Sequence, residues 1–296
     1  MPRCEYSNFY QFQLLLFMNV LPMRNYEMRR EQIAQLGKGL DRIPLEDRGQ
    51  VLHTFVPWIF TNDAGYANML PGMKEALVEQ KHDTKLRVPI IAGWGALTTI
   101  AGALPIRADA YVIVDITDQI FSPIERMIST IRSSDTPEEC MKIYDAQHYF
   151  EEMKGKGVDP ARYWDIELQS FGNRHFLASL PNFLASKRAL QDTPIFYSHG
   201  NLEHPPYLRA LTSVFEKSNA SVPYASVTDL GEWNDSFLPN ADLLPWNDHT
   251  VISWSTNNGR PTAQPVSRFS LGVQNYKVDA KKAKEGITVS YQKEFI

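Results

Sequence analysis

Cysteine is scarce: Cys4 and Cys140 are the two in 296 residues. That is too few for a disulfide framework or a four-thiolate zinc site, and it suits a reducing, cytoplasmic compartment. Net charge is small as well, since 30 Lys+Arg against 34 Asp+Glu leave −4. A surface that follows a phosphate backbone needs concentrated positive charge. No sustained Lys/Arg run is present, so no nucleic acid is expected as a partner. Long apolar runs are also missing. Phe12–Leu21 is about half of the roughly 20 residues a spanning helix needs. Glu5 stands before it and no small-x-small cleavage site follows, so it reads as a buried helix and not a membrane span. Several catalytic signatures are absent too: G-x-S-x-G, the P-loop, and H-E-x-x-H. No metal site is therefore expected, and a hydrolase elbow is disfavoured.

What is present is an ordinary globular composition, 43% hydrophobic and 22% charged, with enough apolar residues for a core without staples. Residues 1–60 read as a helical N-terminal extension, punctuated by Pro22, Gly37, Gly39 and Pro44. Tyr66, Met69, Leu70, Met73 and Leu77 then recur at helical spacing despite Pro71 and Gly72. From Leu86 the texture changes. Leu86–Ala92 and Ala110–Asp115 are short apolar runs, which suit strands covered on both faces of a parallel sheet. A glycine turn and a small-residue helix, Ala96–Leu104, lie between them, making one βαβ unit.

Further strands are predicted at Pro194–Tyr197, Val222–Val227, Thr250–Trp254, Arg268–Tyr276 and Ile287–Tyr291, with a helix over Pro206–Lys217. Residues 118–190 read as a helical insertion. The expected architecture is α/β: a doubly wound, mostly parallel sheet over 61–296, carrying that insertion and preceded by the helical extension.

The chemistry-bearing constellation is Ile90-Ile-Ala-Gly93-Trp94-Gly95 followed by Asp115, 20 residues after Gly95. Glycines directly after a strand let the backbone turn tightly and approach a ligand, and the next helix adds oriented N–H groups. A carboxylate ending the following strand is placed to accept both hydroxyls of a ribose. The plainer alternative is a tight turn with Asp115 capping the next helix.

These residues resemble the class I S-adenosylmethionine-dependent methyltransferases, over roughly Tyr66–Trp254. The resemblance implies S-adenosylmethionine as cofactor, with Gly93, Trp94 and Gly95 beneath its methionine part and Asp115 on its ribose. Ile116, beside Asp115, and Tyr66, in the segment that could fold over the site, join the implied cofactor residues. Asn201 and Leu202, in Tyr197-Ser-His-Gly-Asn-Leu, would meet the adenine. Ala225–Trp233 would be the fourth strand and its exit loop, lining the acceptor site. Where the family carries an acidic residue and a third glycine around the loop, this chain has Ile91 and Leu97.

Four residues are candidates for acceptor positioning or base chemistry. Asp229 and Glu232 follow the fourth strand, His199 ends the third, and His175 sits beside Arg174 in an aromatic stretch, where the pair could hold a carboxylate or phosphate. The expected activity is methyl transfer to a small-molecule or protein acceptor. Two alternatives stay open: an inactive, methyltransferase-like binding protein, and an enzyme using another adenosine-containing ligand such as NAD or ATP.

Overall fold

The computed structural model describes residues 27–50, 66–78, 84–93, 97–146, 167–227, 240, 243–246, 250–255 and 261–265. Helix α1 covers 27–41 and α2 covers Tyr66–Val78; strand β1 is Leu86–Arg87 and β2 is Ile90–Ala92. Helix α3 (Leu97–Ala103) leads to β3 (Tyr111–Asp115), α4 (Phe121–Ser133) and α5 (Pro137–Ala146). A helical segment at 167–171 precedes α6 (Leu180–Leu190), β4 (Ile195–His199) and α7 (Pro205–Lys217). The chain ends its described part with β5 (Ala220–Ser221), β6 (Tyr224–Ser226), β7 (Val251–Ser255) and β8 (Pro261–Pro265).

Six strands form one sheet in the order β4-β3-β2-β6-β7-β8. All pairings are parallel except β7 with β8. After β2 the chain moves outward to β3 and β4, then returns to the other side of β2 for β6 and β7. The strand order therefore reverses between β2 and β6, a topological switch point.

The period-2 alternation of each strand supplies both faces of this sheet. Ile91, Tyr111, Ile113, Tyr224 and Val251 join one apolar cluster, which also holds residues of α2 to α6. Ile90, Val112, Val114, Ala225 and Ile252 join a second cluster with α1 and α7. Helices thus cover both faces, and this is why the central strands read as continuous apolar runs. The expected doubly wound α/β architecture is the one observed.

Three details differ from the expectation. Gly37 and Gly39 do not interrupt the N-terminal helix; they lie inside α1. A Cβ on Gly37 would stand 2.6 Å from the Phe196 ring, and one on Gly39 would stand 2.7 Å from Val214. The glycines let α1 approach the sheet and α7, and that packing outweighs their helix-propensity cost of about 1 kcal/mol each.

The run Leu86–Ala92 is not one strand either. Between the pairs Arg87↔Ser221 and Ile90↔Ala225 stand Val88 and Pro89 on one side, and Val222, Pro223 and Tyr224 on the other. The extra residue makes a bulge, and each proline removes a ladder donor.

Finally, the antiparallel strand is Pro261–Pro265, reached from β7 across Asn257-Asn258-Gly259. The strands expected at Arg268–Tyr276 and Ile287–Tyr291 lie outside the described residues, as does Cys4. Cys140 is buried among apolar side chains, and burial pushes its thiol up to about 12, as suits a packing residue.

Candidate functional site

The carboxyl ends of β2, β3 and β4 converge, because the three strands are parallel and in register: Ala92 lies opposite Val114, and Asp115 opposite His199. Their exit loops are tied together by backbone. Gly93 N–H donates to Val114 O at 2.8 Å, and Gly200 N–H donates to Asp115 O at 2.9 Å. His199 Nε2–H donates to Ile116 O at 3.0 Å, and the imidazole meets the Phe121 ring edge-on.

Gly93 has φ +59°, in the left-handed region that favours glycine. A Cβ there would lie 3.2 Å from Asp115 Oδ2, so the missing side chain leaves the space over which the carboxylate looks. Asp115 Oδ1 accepts from Thr117 N–H at 2.8 Å. Helix capping in this turn falls to Thr117, whose hydroxyl accepts from Gln119 N–H. Burial raises Asp115 from the ordinary 3.8 to about 6, against the lowering effect of the Thr117 and Ile116 N–H groups. Among the described residues no Lys or Arg makes an ion pair with it.

The β4 exit loop is set by its own bonds. Asn201 Oδ1 accepts from Glu203 N–H at 2.8 Å, and Asn201 N–H donates to Arg48 O at 2.9 Å. The segment after α1 therefore abuts the site, a long-range contact that nothing in the local pattern of residues 42–50 announces. Leu202 is buried in the apolar cluster that includes Leu208 and Leu211. Ile116 is half-buried directly after Asp115. Tyr66 begins α2; Trp94, Gly95, Asp229 and Glu232 lie outside the described residues.

His175 is placed differently from the expectation. It is fully buried, its Nε2 is 3.1 Å from Glu167 Oε1, and its Nδ1 accepts from Leu177 N–H at 3.2 Å. Phe171 and Phe176 flank the ring. Both nitrogens are engaged inside the protein, so His175 presents no atom to a ligand in this structure. Glu167 is the residue that sequence reading missed: a carboxylate eight positions upstream in an aromatic stretch carries no distinguishing signal.

Together the fold and these contacts define an α/β protein whose strand carboxyl ends, with their exit loops tied together, lie beside the switch point. No family model matches the chain, and no curated protein does. Among solved structures it is similar to the rRNA methyltransferase aviRa from Streptomyces viridochromogenes, at 15% identity and a TM-score of 0.36, over 72% of this chain and 82% of that one. That neighbour is named for an rRNA, and the exclusion of nucleic acid as a partner is withdrawn on this finding. The physical reason is that net charge sums over the whole surface and does not report how charge is distributed on one face. Among the described residues no helix is long and apolar enough to cross a membrane.

Proposed function

We propose that the chain binds S-adenosylmethionine at the carboxyl ends of β2, β3 and β4 and transfers its methyl group to an acceptor. The observation that carries this reading is the juxtaposition of Gly93 and Asp115 beside the switch point. A left-handed glycine leaves open space directly against a half-buried carboxylate that has no cationic partner among the described residues. Such a carboxylate is poor structural glue, because backbone N–H groups offset only part of its desolvation. It becomes well satisfied when a vicinal diol donates two hydrogen bonds to it.

In this reading Gly93, with Trp94 and Gly95, approaches the methionine end, while Asp115 holds the ribose hydroxyls. Ile116 covers one face of the adenine. The Asn201 carbonyl is occupied by Glu203 N–H, so its Nδ2 is the group offered to the adenine edge. Leu202 supports that loop from the core, and Tyr66 stands at the start of the helix preceding the sheet. When bound, the cofactor supplies an electrophilic methyl on a sulfonium. The protein's own task is alignment, and where needed a base. His199, fixed by Ile116 O, and Asp229 and Glu232 on the β6 exit side serve acceptor positioning. His175 is not assigned that role.

A second reading, a binding protein without transfer activity, is favoured by one observation. Ile91 and Leu97 are both fully buried in the core, so neither supplies a polar group to the methionine end. Calorimetric titration with S-adenosylmethionine and S-adenosylhomocysteine tests the site under either reading. We expect saturable binding, weakened at least tenfold by Asp115→Ala with the circular dichroism spectrum unchanged. Absence of binding at millimolar ligand, or indifference to Asp115→Ala, overturns it. Release of S-adenosylhomocysteine with an acceptor then separates an enzyme from a binding protein.

A further inference from the structure

A cavity of about 380 Å³ lies between α2, the turn at Gly172–Arg174 and α6, with α3 as its floor. It is built from the bodies of helices and not from strand ends, and Asp115, His199 and Asn201 take no part in it. We infer that this cavity is a second binding site, for a small phosphate monoester.

Its charge is one-sided. Lys74 from α2 and Arg174 from the turn both line it, and no Asp or Glu does. Among the described residues neither cation has an acidic partner. Two cations thus reach one concavity from positions 100 residues apart in the chain. A guanidinium and an ammonium together suit a phosphate, the first by paired N–H donors and the second as a point charge.

The wall is polar and held in place. Asn182 Nδ2 donates to Asn173 O at 2.8 Å and to His175 O at 3.0 Å. Phe176 N–H donates to Thr99 Oγ1 at 3.3 Å. These bonds and the buried His175–Glu167 pair fix the backbone that carries Arg174 on both of its sides, so less ordering is needed on binding. This is the role the structure leaves for His175: it positions Arg174 from below.

Ser186 of α6, 1% exposed, adds a hydroxyl to the same wall. A Cβ on Gly102 would stand 2.3 Å from that oxygen, so α3 keeps a glycine where the hydroxyl sits. The volume exceeds that of a bare phosphate and falls at the small end of ligand sites, about 300–1,000 Å³. Leu70 and Pro71 add an apolar edge for the rest of the molecule.

The test is titration of the full chain with ribose 5-phosphate and with inorganic phosphate, at constant ionic strength, followed by calorimetry. We expect saturable binding of the monoester, tighter than that of inorganic phosphate. Lys74→Ala and Arg174→Ala should each weaken it at least fivefold, and the double variant should abolish it, with melting temperature unchanged because both side chains are exposed. Lys74→Arg should restore most of the affinity. Asp115→Ala should leave this binding intact, so the site stands or falls separately from the one at the strand ends. Absence of saturable binding, or binding unaltered in the double variant, overturns the proposal.

Discussion

Two carboxylates flank β3, and they live in opposite circumstances. Asp109, just before the strand, takes an ion pair from Arg29 of α1 and accepts from Arg87 N–H at 2.8 Å. Its own N–H returns a bond to Arg87 O at 2.8 Å. Every part of Asp109 is spent on joining α1, β1 and β3. Asp115, at the other end, accepts from backbone N–H groups, faces the space over Gly93 and has no ion-pair partner among the described residues. The difference teaches how to separate a structural acid from one available to a ligand. The first is compensated within the protein; the second is half-buried, raised to about 6 and left with accepting capacity.

The largest expected effect breaks this comparison directly. Charge-assisted hydrogen bonds to a buried carboxylate contribute roughly 1.5–3 kcal/mol. Asp115→Asn should therefore weaken S-adenosylmethionine binding by about thirtyfold, roughly 2 kcal/mol. Asp109→Asn should change it by less than about twofold, since Asp109 stands at the end of the strand opposite to Asp115. Calorimetric titration of both variants decides the matter, and equal losses would show that the two acids do not differ in role.

Stability should rank them the other way. Asp109→Ala leaves the Arg87 N–H without its acceptor and Arg29 without its partner, a loss of about 1–3 kcal/mol in chemical denaturation. Arg29→Ala should cost less, about 0.2–1 kcal/mol, because Arg29 is 42% exposed and water takes the place of its partner. A destabilisation by Arg29→Ala as large as that by Asp109→Ala would mean that the pair, and not the Arg87 bond, holds this corner.

Gly93→Ala probes the ground between them. Forcing an alanine to φ +59° costs roughly 1–2 kcal/mol. The new methyl would also crowd Asp115 Oδ2 at 3.2 Å. Thermal unfolding should show that modest loss, and titration about a fivefold drop in affinity. Unchanged affinity would remove Gly93 from the site.

How much of this was legible in the chain follows from where the signal resides. Ala110–Asp115 announced itself because a strand buried on both faces must be apolar throughout and can end on a carboxylate only where it leaves the sheet. The left-handed turn at Gly93 was legible for the same reason, since a glycine directly after such a strand marks a tight turn. The N-terminal glycines were misread because local propensity treats Gly37 and Gly39 as breaks, while their purpose lies across the fold at Phe196 and Val214. His175 was misread in a similar way. A histidine beside an arginine reads as a pair that could hold an anion, but Glu167 and two phenyl rings enclose the imidazole. The cavity at Lys74 and Arg174 was illegible, because its residues come from four elements and no periodicity links them. The nucleic-acid exclusion failed for a related reason: a sum over the chain carries no spatial information.

The smallest effect sharpens the comparison most, because it assigns opposite signs to one proton. In the folded protein Asp115 is raised from the ordinary 3.8 to about 6, so the folded state holds the proton more tightly than the unfolded chain. The stability associated with it is fully present below about 3.8 and is lost as pH rises through about 6. Binding runs the other way, since ribose hydroxyls donate to the ionised carboxylate and not to the acid. Affinity should therefore climb to a plateau above about pH 6, over the same interval in which the free protein loses stability. Asp115→Asn removes both dependences. Its melting temperature should exceed that of the wild type by a few degrees at pH 8 and by almost nothing at pH 4, while its residual affinity stays flat with pH. A wild-type protein whose affinity falls between pH 5 and 7, or an Asp115→Asn variant less stable than wild type at pH 8, would show that this carboxylate holds the fold together as Asp109 does.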